Sequence, residues 1–440
     1  MKILLLNFTG GIPLGLAYLS ACVSDNPRRE IRIVDCGEDS ESHAQALEAV
    51  KAEKPDIVGA TVYTYHVNDV LGFMRDIKQI KADIMTVVGG PHPTALPTET
   101  VADSNLDVVV CGEGEVTFKS LVERVEKRES YSDLDGIAYK LDGEPRVNRP
   151  RAFIRDLDTL PFPRWQDLPV ETYRHPDYGH PRMNRRSFTH MLATRGCPYH
   201  CSFCGAADVW GRVLRKHSPE RVVEEMRTLN RDYGVHSVRF ADSTFTIDRS
   251  WLVELCRILQ AADIDVAWEA NARADTLDEN LLIELKKAKC VSINIGVESG
   301  DENVLKLMRK NQTLAEVRSA FQLMKKVGMF SWAFFMIGCP GETKESIKKT
   351  IDFAVELDPD QVSVCAYAIP YPGTEFYDMA LKETNISTIP WEDYHHSRKV
   401  IYIPEGLAKE DIEEGKRMFC EKLQPHKRHL GRMASFNCVG

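Results

Sequence analysis

The chain has 440 residues, a formal net charge of −9, and 43% hydrophobic and 28% charged side chains. That composition excludes a disordered or fibrous chain, and the acidic balance argues against a nucleic-acid surface as its main business. The length allows roughly two to three domains with substantial cores.

The apolar start, Met1 to Val23, is interrupted by Asn7, Thr9, Gly10-Gly11 and Pro13, so it reads as strand, loop and helix rather than a leader. No window reaches the roughly 18 uninterrupted apolar residues of a membrane span. Twelve cysteines in a chain that reads as cytoplasmic favour metal ligands and buried thiols over disulfides.

Up to about residue 128, short apolar runs alternate with amphipathic segments. Ile3 to Asn7, Ile31 to Asp35, Asp56 to Val62, Ile84 to Val88 and Asp107 to Cys111 read as buried strands. Leu14 to Ser24, Ser42 to Lys54, Asn68 to Lys81 and Glu115 to Lys127 have helical spacing. This is a doubly wound βα pattern, whose ligand belongs over the carboxyl ends of the strands. Gly89-Gly90-Pro91-His92 and Cys111-Gly112-Glu113-Gly114 follow two of those strands. Each suits close backbone approach to a ligand or a simple turn. Neither is a G-x-G-x-x-G fingerprint, which disfavours a nicotinamide cofactor.

Tyr139 to Pro145 reads as a hairpin with a glycine turn, and Leu160-Pro161-Phe162-Pro163 as an extended linker. His175, His180 and Arg182 to Arg186 are scattered, as in a solvated loop. From Thr189 the βα alternation resumes. Strands are expected near His190 to Thr194, Ser237 to Ala241, Val266 to Ala270, Ser292 to Val297, Ser331 to Ile337 and Gln361 to Ala368. Helices such as Pro219 to Asp232, Trp251 to Ala262, Asp278 to Lys289, Leu314 to Val327 and Lys344 to Leu357 intervene. Six βα units make a partial parallel barrel, with chemistry at the strand carboxyl ends.

The first of these units ends in Cys197-Pro198-Tyr199-His200-Cys201-Ser202-Phe203-Cys204, three thiols at C-x-x-x-C-x-x-C spacing. An iron–sulfur cube takes one thiolate per iron, so three ligands leave one iron open for chemistry. The rivals are buried structural cysteines and a zinc site with His200 or Cys339 as fourth ligand, although structural zinc usually takes two separated ligand pairs. Later strand ends carry Asp242 and Ser243, Asn271 and Arg273, Glu298 and Ser299, then Gly338-Cys339-Pro340-Gly341. Each alone is as readily a cap or a surface ion pair.

The cysteine motif resembles that of radical S-adenosylmethionine (SAM) enzymes, in which three cysteines hold a [4Fe-4S] cluster and SAM chelates the open iron. The resemblance covers about residues 1 to 380. It implies that Phe203 and Tyr371, in Ala368 to Thr374, lie by the adenine. It also implies that Asp242, Glu298 and Ser299 meet the amino group and ribose, that Arg273 meets the carboxylate, and that Ser243 and Asn271 contact SAM. Pro13-Leu14-Gly15, Pro55 to Gly59, Gly89-Gly90-Pro91-His92 and Gly112-Glu113-Gly114 together resemble the cobalamin-binding domain that precedes some radical SAM domains. The D-x-H-x-x-G cobalt-ligand loop is absent from the sequence, which turns attention to Tyr63 and Tyr65 in Thr61 to His66; ordinary packing accounts for both equally well.

The resemblance thus implies four regions. A Rossmann-like cobalamin domain spans 1–130, a hairpin and linker 131–186, a TIM-like partial (β/α)6 radical SAM barrel 187–385, and a C-terminal substrate-covering region 386–440. That last region holds Trp391, Tyr394, His395, His396, the basic run Lys427 to Arg432, and Cys438. The implied activity is C-methylation: a 5′-deoxyadenosyl radical takes hydrogen from an unactivated carbon and methylcobalamin delivers the methyl group. Such chemistry calls for a flavodoxin or ferredoxin as electron donor, an anaerobic cytoplasm, and a peptide, protein residue or small natural product as substrate. The alternatives are a B12-dependent ring formation or rearrangement, and a non-catalytic zinc-stabilised binding protein.

Overall fold

The computed structural model describes residues 1–36, 40–173, 180, 182–183, 187–365, 367–395 and 399–423. The expectations placed on His175, Arg185, Arg186, His396, the basic run 427–432 and Cys438 lie outside them. The chain divides into two compact units. The first is Met1–Pro169 with Gly205–Gly211 and Pro390–Glu392, and the second is the remainder.

In the first unit, β1 (Lys2–Asn7), α1 (Leu14–Val23), β2 (Glu30–Asp35), α2 (Ser40–Glu53), β3 (Ile57–Thr61), α3 (Val67–Ile80) and β4 (Met85–Gly89) follow in order. Two short helices, α4 (Pro91–Ala95) and α5 (Pro97–Val101), precede β5 (Val108–Val110), α6 (Gly114–Lys127) and the hairpin strands β6 (Ile137–Leu141) and β7 (Glu144–Val147). The sheet order is β2-β1-β3-β4-β5-β6-β7, parallel through β5 and antiparallel beyond.

Alternation along each strand explains why both faces are covered. Leu4 and Leu6 enter one core with Val70, Phe73 and Met74 of α3. Ile3 and Leu5 enter the other with Leu16 of α1 and Leu121 and Val122 of α6. Order reverses between β2-β1 and β3, so the ligand crevice of such a sheet lies at the carboxyl ends of β1 and β3.

The hairpin assigned above to the linker completes this sheet instead. Val108 of β5 pairs with Tyr139, and Val110 with Ile137, so the apolar edge of β5 is covered. Gly90-Pro91-His92, read as a turn, opens α4, with proline at its first position.

In the second unit β8 (Phe188–Met191) and β9 (Thr194–Arg195) precede α7 (Ala206–Trp210), which belongs to the first unit. Then come β10 (Arg215–Lys216), α8 (Pro219–Tyr233), β11 (Ser237–Phe240), α9 (Arg249–Ala261), β12 (Ala267–Ala272), α10 (Glu279–Lys287), β13 (Cys290–Glu298) and α11 (Glu302–Leu307). The unit continues through α12 (Leu314–Val327), β14 (Phe330–Met336), α13 (Lys344–Leu357), β15 (Gln361–Cys365), α14 (Glu375–Glu383) and α15 (Lys409–Leu423).

Strands β8, β11, β12, β13, β14 and β15 form one parallel sheet in chain order, the six βα units expected. Helix starts are capped: the Ser218 side chain accepts from Arg221 N, and Thr313 and Glu316 form a capping box. One face of the sheet packs under helices, with Phe240 and Trp268 against Phe245, and Phe335 against Phe419 of α15. The other face is concave. Arg239 of β11 lies 5.1 Å over the ring of Trp332 of β14, whereas three strand spacings in a flat sheet would part them by about 14 Å.

Strand β8 ends earlier than the sequence indicates. The chain turns at Ala193 and Thr194, and β9 pairs antiparallel with β10.

Candidate functional site

Strand β9 delivers the chain through Gly196 (φ 87°) into the cysteine loop. Ser202 anchors that loop by its backbone: its N–H donates to Met308 O at 2.9 Å and its carbonyl accepts from Phe376 N at 2.9 Å. Cys204 N donates to Cys201 O at 3.2 Å, closing a turn, and Arg212 holds the Tyr199 carbonyl at 2.7 Å. Cys197 and Cys201 are half-buried and Cys204 is exposed. Burial raises the Cys201 thiol; the nearby Lys310 and Arg273 charges oppose that, while Glu298 and Cys197 add to it.

Behind the loop lies a charged network. Lys310 Nζ sits 2.8 Å from Glu298 Oε1, each side chain about a tenth exposed. Glu298 has φ 66° at a register shift between β13 and β14. A Cβ on Gly296 would stand 2.2 Å from its carboxylate, so a side chain there would displace the Glu298–Lys310 pair. Arg273 binds Asp275 at 2.9 and 3.0 Å and the carbonyls of Lys310 and Asn311 at 2.8 and 2.9 Å. Its guanidinium also covers the Tyr199 ring at 3.8 Å.

The strand-end loops of the first unit are organised by backbone. Asn7 Nδ2 donates to Gly11 O at 2.9 Å, and its Oδ1 accepts from the Thr9 hydroxyl at 2.8 Å, shaping the loop ahead of Pro13. Val62 N donates to Gly89 O at 2.8 Å, and Gly112 N donates to the Thr94 hydroxyl at 2.9 Å, tying three loops together. Gly90 has φ 106°, and a Cβ there would meet Val62 O at 3.0 Å. Gly15 and Gly112 face open space, and Tyr63 is 41% exposed.

Two family models match the chain: the B12 binding domain over residues 2–122 and the Radical SAM superfamily over residues 191–354. An uncharacterised methyltransferase of Pyrococcus horikoshii is 33% identical over 387 residues, covering 88% of this chain and 82% of that one. The chain belongs to the radical SAM superfamily, among members that carry a B12-binding domain.

An anaerobic magnesium-protoporphyrin IX monomethyl ester cyclase of Rubrivivax gelatinosus is 31% identical over 372 residues, 83% of this chain and 65% of the cyclase. The radical SAM methyltransferase TsrM of Kitasatospora setae, solved with cobalamin and a [4Fe-4S] cluster, shares the fold. Its TM-score is 0.76 at 18% identity, over 97% of this chain and 90% of that one.

For a radical SAM protein, the donor set suits the cluster: three thiols on one backbone-pinned loop, with two buried cations behind them. Among the described residues no three His, Cys, Asp or Glu side chains converge on one metal ion. A cube asks for something else, since its thiolates each hold a different iron. The zinc rival loses Cys339, which is fully buried in an apolar cluster with Met336, Phe376 and Tyr402.

Several side chains expected at SAM do other work. Asp242 is fully buried; its carboxylate accepts from the amides of Ala193 (3.2 Å) and Thr194, and so fixes the entry to the cysteine loop. Burial pushes it up to about 6. The Arg273 guanidinium is committed to Asp275, backbone carbonyls and Tyr199 rather than offered to a carboxylate. The Ser299 hydroxyl is buried against Thr350 at 3.1 Å. Ser243 is exposed, and Asn271, Phe203 and Tyr371 remain partly exposed, Phe203 resting on the cluster around Met308 and Phe376.

In the B12-binding unit, the same sorting applies. His92 is buried, edge-on to Trp391 at 5.1 Å, and burial lowers it to about 4, so its imidazole is neutral packing. Trp391, placed above in a substrate cover, is part of that packing. The Glu113 carboxylate accepts from Ile154 N at 2.8 Å. Leu14 is buried, while Gly89 and Gly114 admit Val110 and Leu19 closely. Pro13, Gly15, Tyr63, Tyr65, Gly90 and Gly112 remain at the strand ends, a backbone-lined cradle suited to a large flat ligand.

Lys310 and Asn7 were missed in the sequence. Lys310 is one cation in Arg309-Lys310-Asn311 after an apolar helix, and only the left-handed turns at Arg309 (φ 50°) and Asn311 (φ 48°) drive it inward. No spacing signals that.

Proposed function

We propose that this radical SAM protein is a cobalamin-dependent C-methyltransferase. The observation that carries the reading is the joint match to both family models in a chain 33% identical, across nearly nine-tenths of its length, to a methyltransferase. Cys197, Cys201 and Cys204 would hold a [4Fe-4S] cluster. Phe203, Ser243, Asn271, Tyr371 and the Glu298–Lys310 pair would contact SAM. Pro13, Gly15, Tyr63, Tyr65, Gly90 and Gly112 would hold cobalamin.

When bound, the cluster with SAM supplies a radical able to take hydrogen from an unactivated carbon, and methylcobalamin supplies the methyl group. The chain's own residues set the conditions. Arg273 and Lys310 place positive charge near Cys201, which favours its thiolate over the neutral thiol. Stacking of Arg273 on Tyr199 and the two backbone bonds of Ser202 fix the loop's shape. Asp242 holds the strand that feeds it. A flavodoxin or ferredoxin would donate the electron, and the substrate would be a peptide, a protein residue or a small natural product.

The test is turnover. Protein reconstituted anaerobically with iron, sulfide and cobalamin is incubated with methyl-deuterated SAM and cell extract, and products are resolved by mass. A product gaining a labelled methyl group supports the proposal. The likeness to the cyclase favours a second reading, B12-dependent ring formation, which a product losing two hydrogens without label would establish instead.

A further inference from the structure

One element of the B12-binding unit cannot hold itself in place. Helix α4 is a single turn with proline at two of its five positions, and Gly90 ahead of it offers no side-chain cap. So short a helix is not stable alone, and packing must fix it. What packing then fixes is Gly90, which stands at φ 106° against Val62.

Two segments from much later in the chain supply that packing, and both belong to the first compact unit. Helix α7 packs against α4, and Gly211 at its end, with φ 73°, lies so close under Phe153 that a Cβ would meet the ring at 2.6 Å. The segment Pro390–Glu392 brings the Trp391 ring to the imidazole of His92, with centroids 5.1 Å apart and planes at 77°. His92 is 2% exposed, and its buried Nδ1 has no hydrogen-bond partner, which leaves ring contact to orient it. Trp391 rests in turn on the core that holds Val62, Val67 and Val88. Beside it, Asn68 Nδ2 donates to Glu392 Oε1 at 2.7 Å, in the first turn of α3 and directly after the loop of Tyr63 and Tyr65. Three residues thus touch the elements that follow both β3 and β4.

We infer that Trp391 is a positioning residue of the corrinoid site: through His92 it seats α4, and so sets the Gly90 turn of the cradle. The B12 binding domain model ends at residue 122, so the site draws on a residue far outside the matched domain. This rests on the cradle assigned to cobalamin above and not on the reaction that follows.

Titration of the full chain with cobalamin, after reconstitution with iron and sulfide and followed by visible absorbance, tests this. Trp391→Ala should weaken binding about tenfold or more, and Trp391→Leu, which keeps apolar volume without a ring, should do the same and serves where the smaller side chain costs the fold. Trp391→Phe, which keeps an aromatic edge for His92, should stay within about threefold of wild type. Ile77→Ala removes bulk from the same core near the start of β4 rather than its end, so it controls for lost stability, and it too should stay within about threefold. Iron content should match wild type in all four. A folded Trp391→Ala or Trp391→Leu that binds like wild type, a Trp391→Phe as weak as Trp391→Leu, or an Ile77→Ala as weak as Trp391→Ala overturns the role of Trp391 and leaves the cradle standing. Wild-type protein that takes up no cobalamin overturns the cradle, and the role of Trp391 with it.

Discussion

The strand ends of the two sheets of this radical SAM protein are built from different materials. At the strand ends of the B12-binding unit the surface is mostly backbone, shaped by Asn7, Gly90 and the Thr94–Gly112 bond. At the strand ends of the second unit it is charged side chains, and these are bonded first to each other, as in Glu298–Lys310 and Arg273–Asp275. A backbone cradle tolerates changes of side chain but not of φ. A network of buried charges tolerates neither the loss of one partner nor a change of protonation.

That contrast orders the predictions. Cys201→Ala, or either neighbouring thiol, removes a proposed iron ligand, and reductive cleavage of SAM should fall below detection by chromatography of 5′-deoxyadenosine, with the fold retained by circular dichroism. Lys310→Met leaves Glu298 buried and uncompensated, so urea unfolding should show a loss of about 3–5 kcal/mol. The double variant Glu298→Met/Lys310→Met should recover most of it, and failure to recover would mean the pair does more than neutralise itself.

Asp242 gives a pH signature. Its folded value, about 6, stands above the ordinary 3.8, so the native state binds more protons than the unfolded chain between those limits. Stability therefore falls as pH rises from about 4 to about 6 and is flat above, by roughly 3 kcal/mol. Asp242→Asn should lack that slope in denaturant titrations across the window. The cradle should respond least. Gly90→Ala, at φ 106° and 3.0 Å from Val62 O, should cost about 2 kcal/mol and weaken corrinoid retention. Gly112→Ala, at φ 71° facing open space, should cost about 1 kcal/mol, and equal costs would remove the distinction drawn for the cradle.

Periodicity alone carried the fold far. Leu314–Val327 and Lys344–Leu357 end where their spacing and caps say. What it could not carry was register and partner choice: nothing local says that Ile137–Leu141 pairs with β5, or that the chain turns at Ala193 to meet Asp242. The site shows the same division. The cysteine spacing and the glycine-bearing strand ends are local patterns. Whether Arg273 faces a ligand or Asp275 depends on the carbonyls of Lys310 and Asn311, nearly forty residues on, and on Tyr199, far earlier in the chain.

The central claim is that one chain carries both a three-cysteine cluster and a corrinoid. Iron, sulfide and cobalt determined per chain on anaerobically reconstituted protein test it most directly. The account predicts about four irons, about four sulfides and one cobalt, with iron lost and cobalt kept in Cys201→Ala, and cobalt lost and iron kept when the first-unit cradle is disrupted. Wild-type protein that retains no cobalt from excess cobalamin, or iron content indifferent to Cys201→Ala, would contradict it.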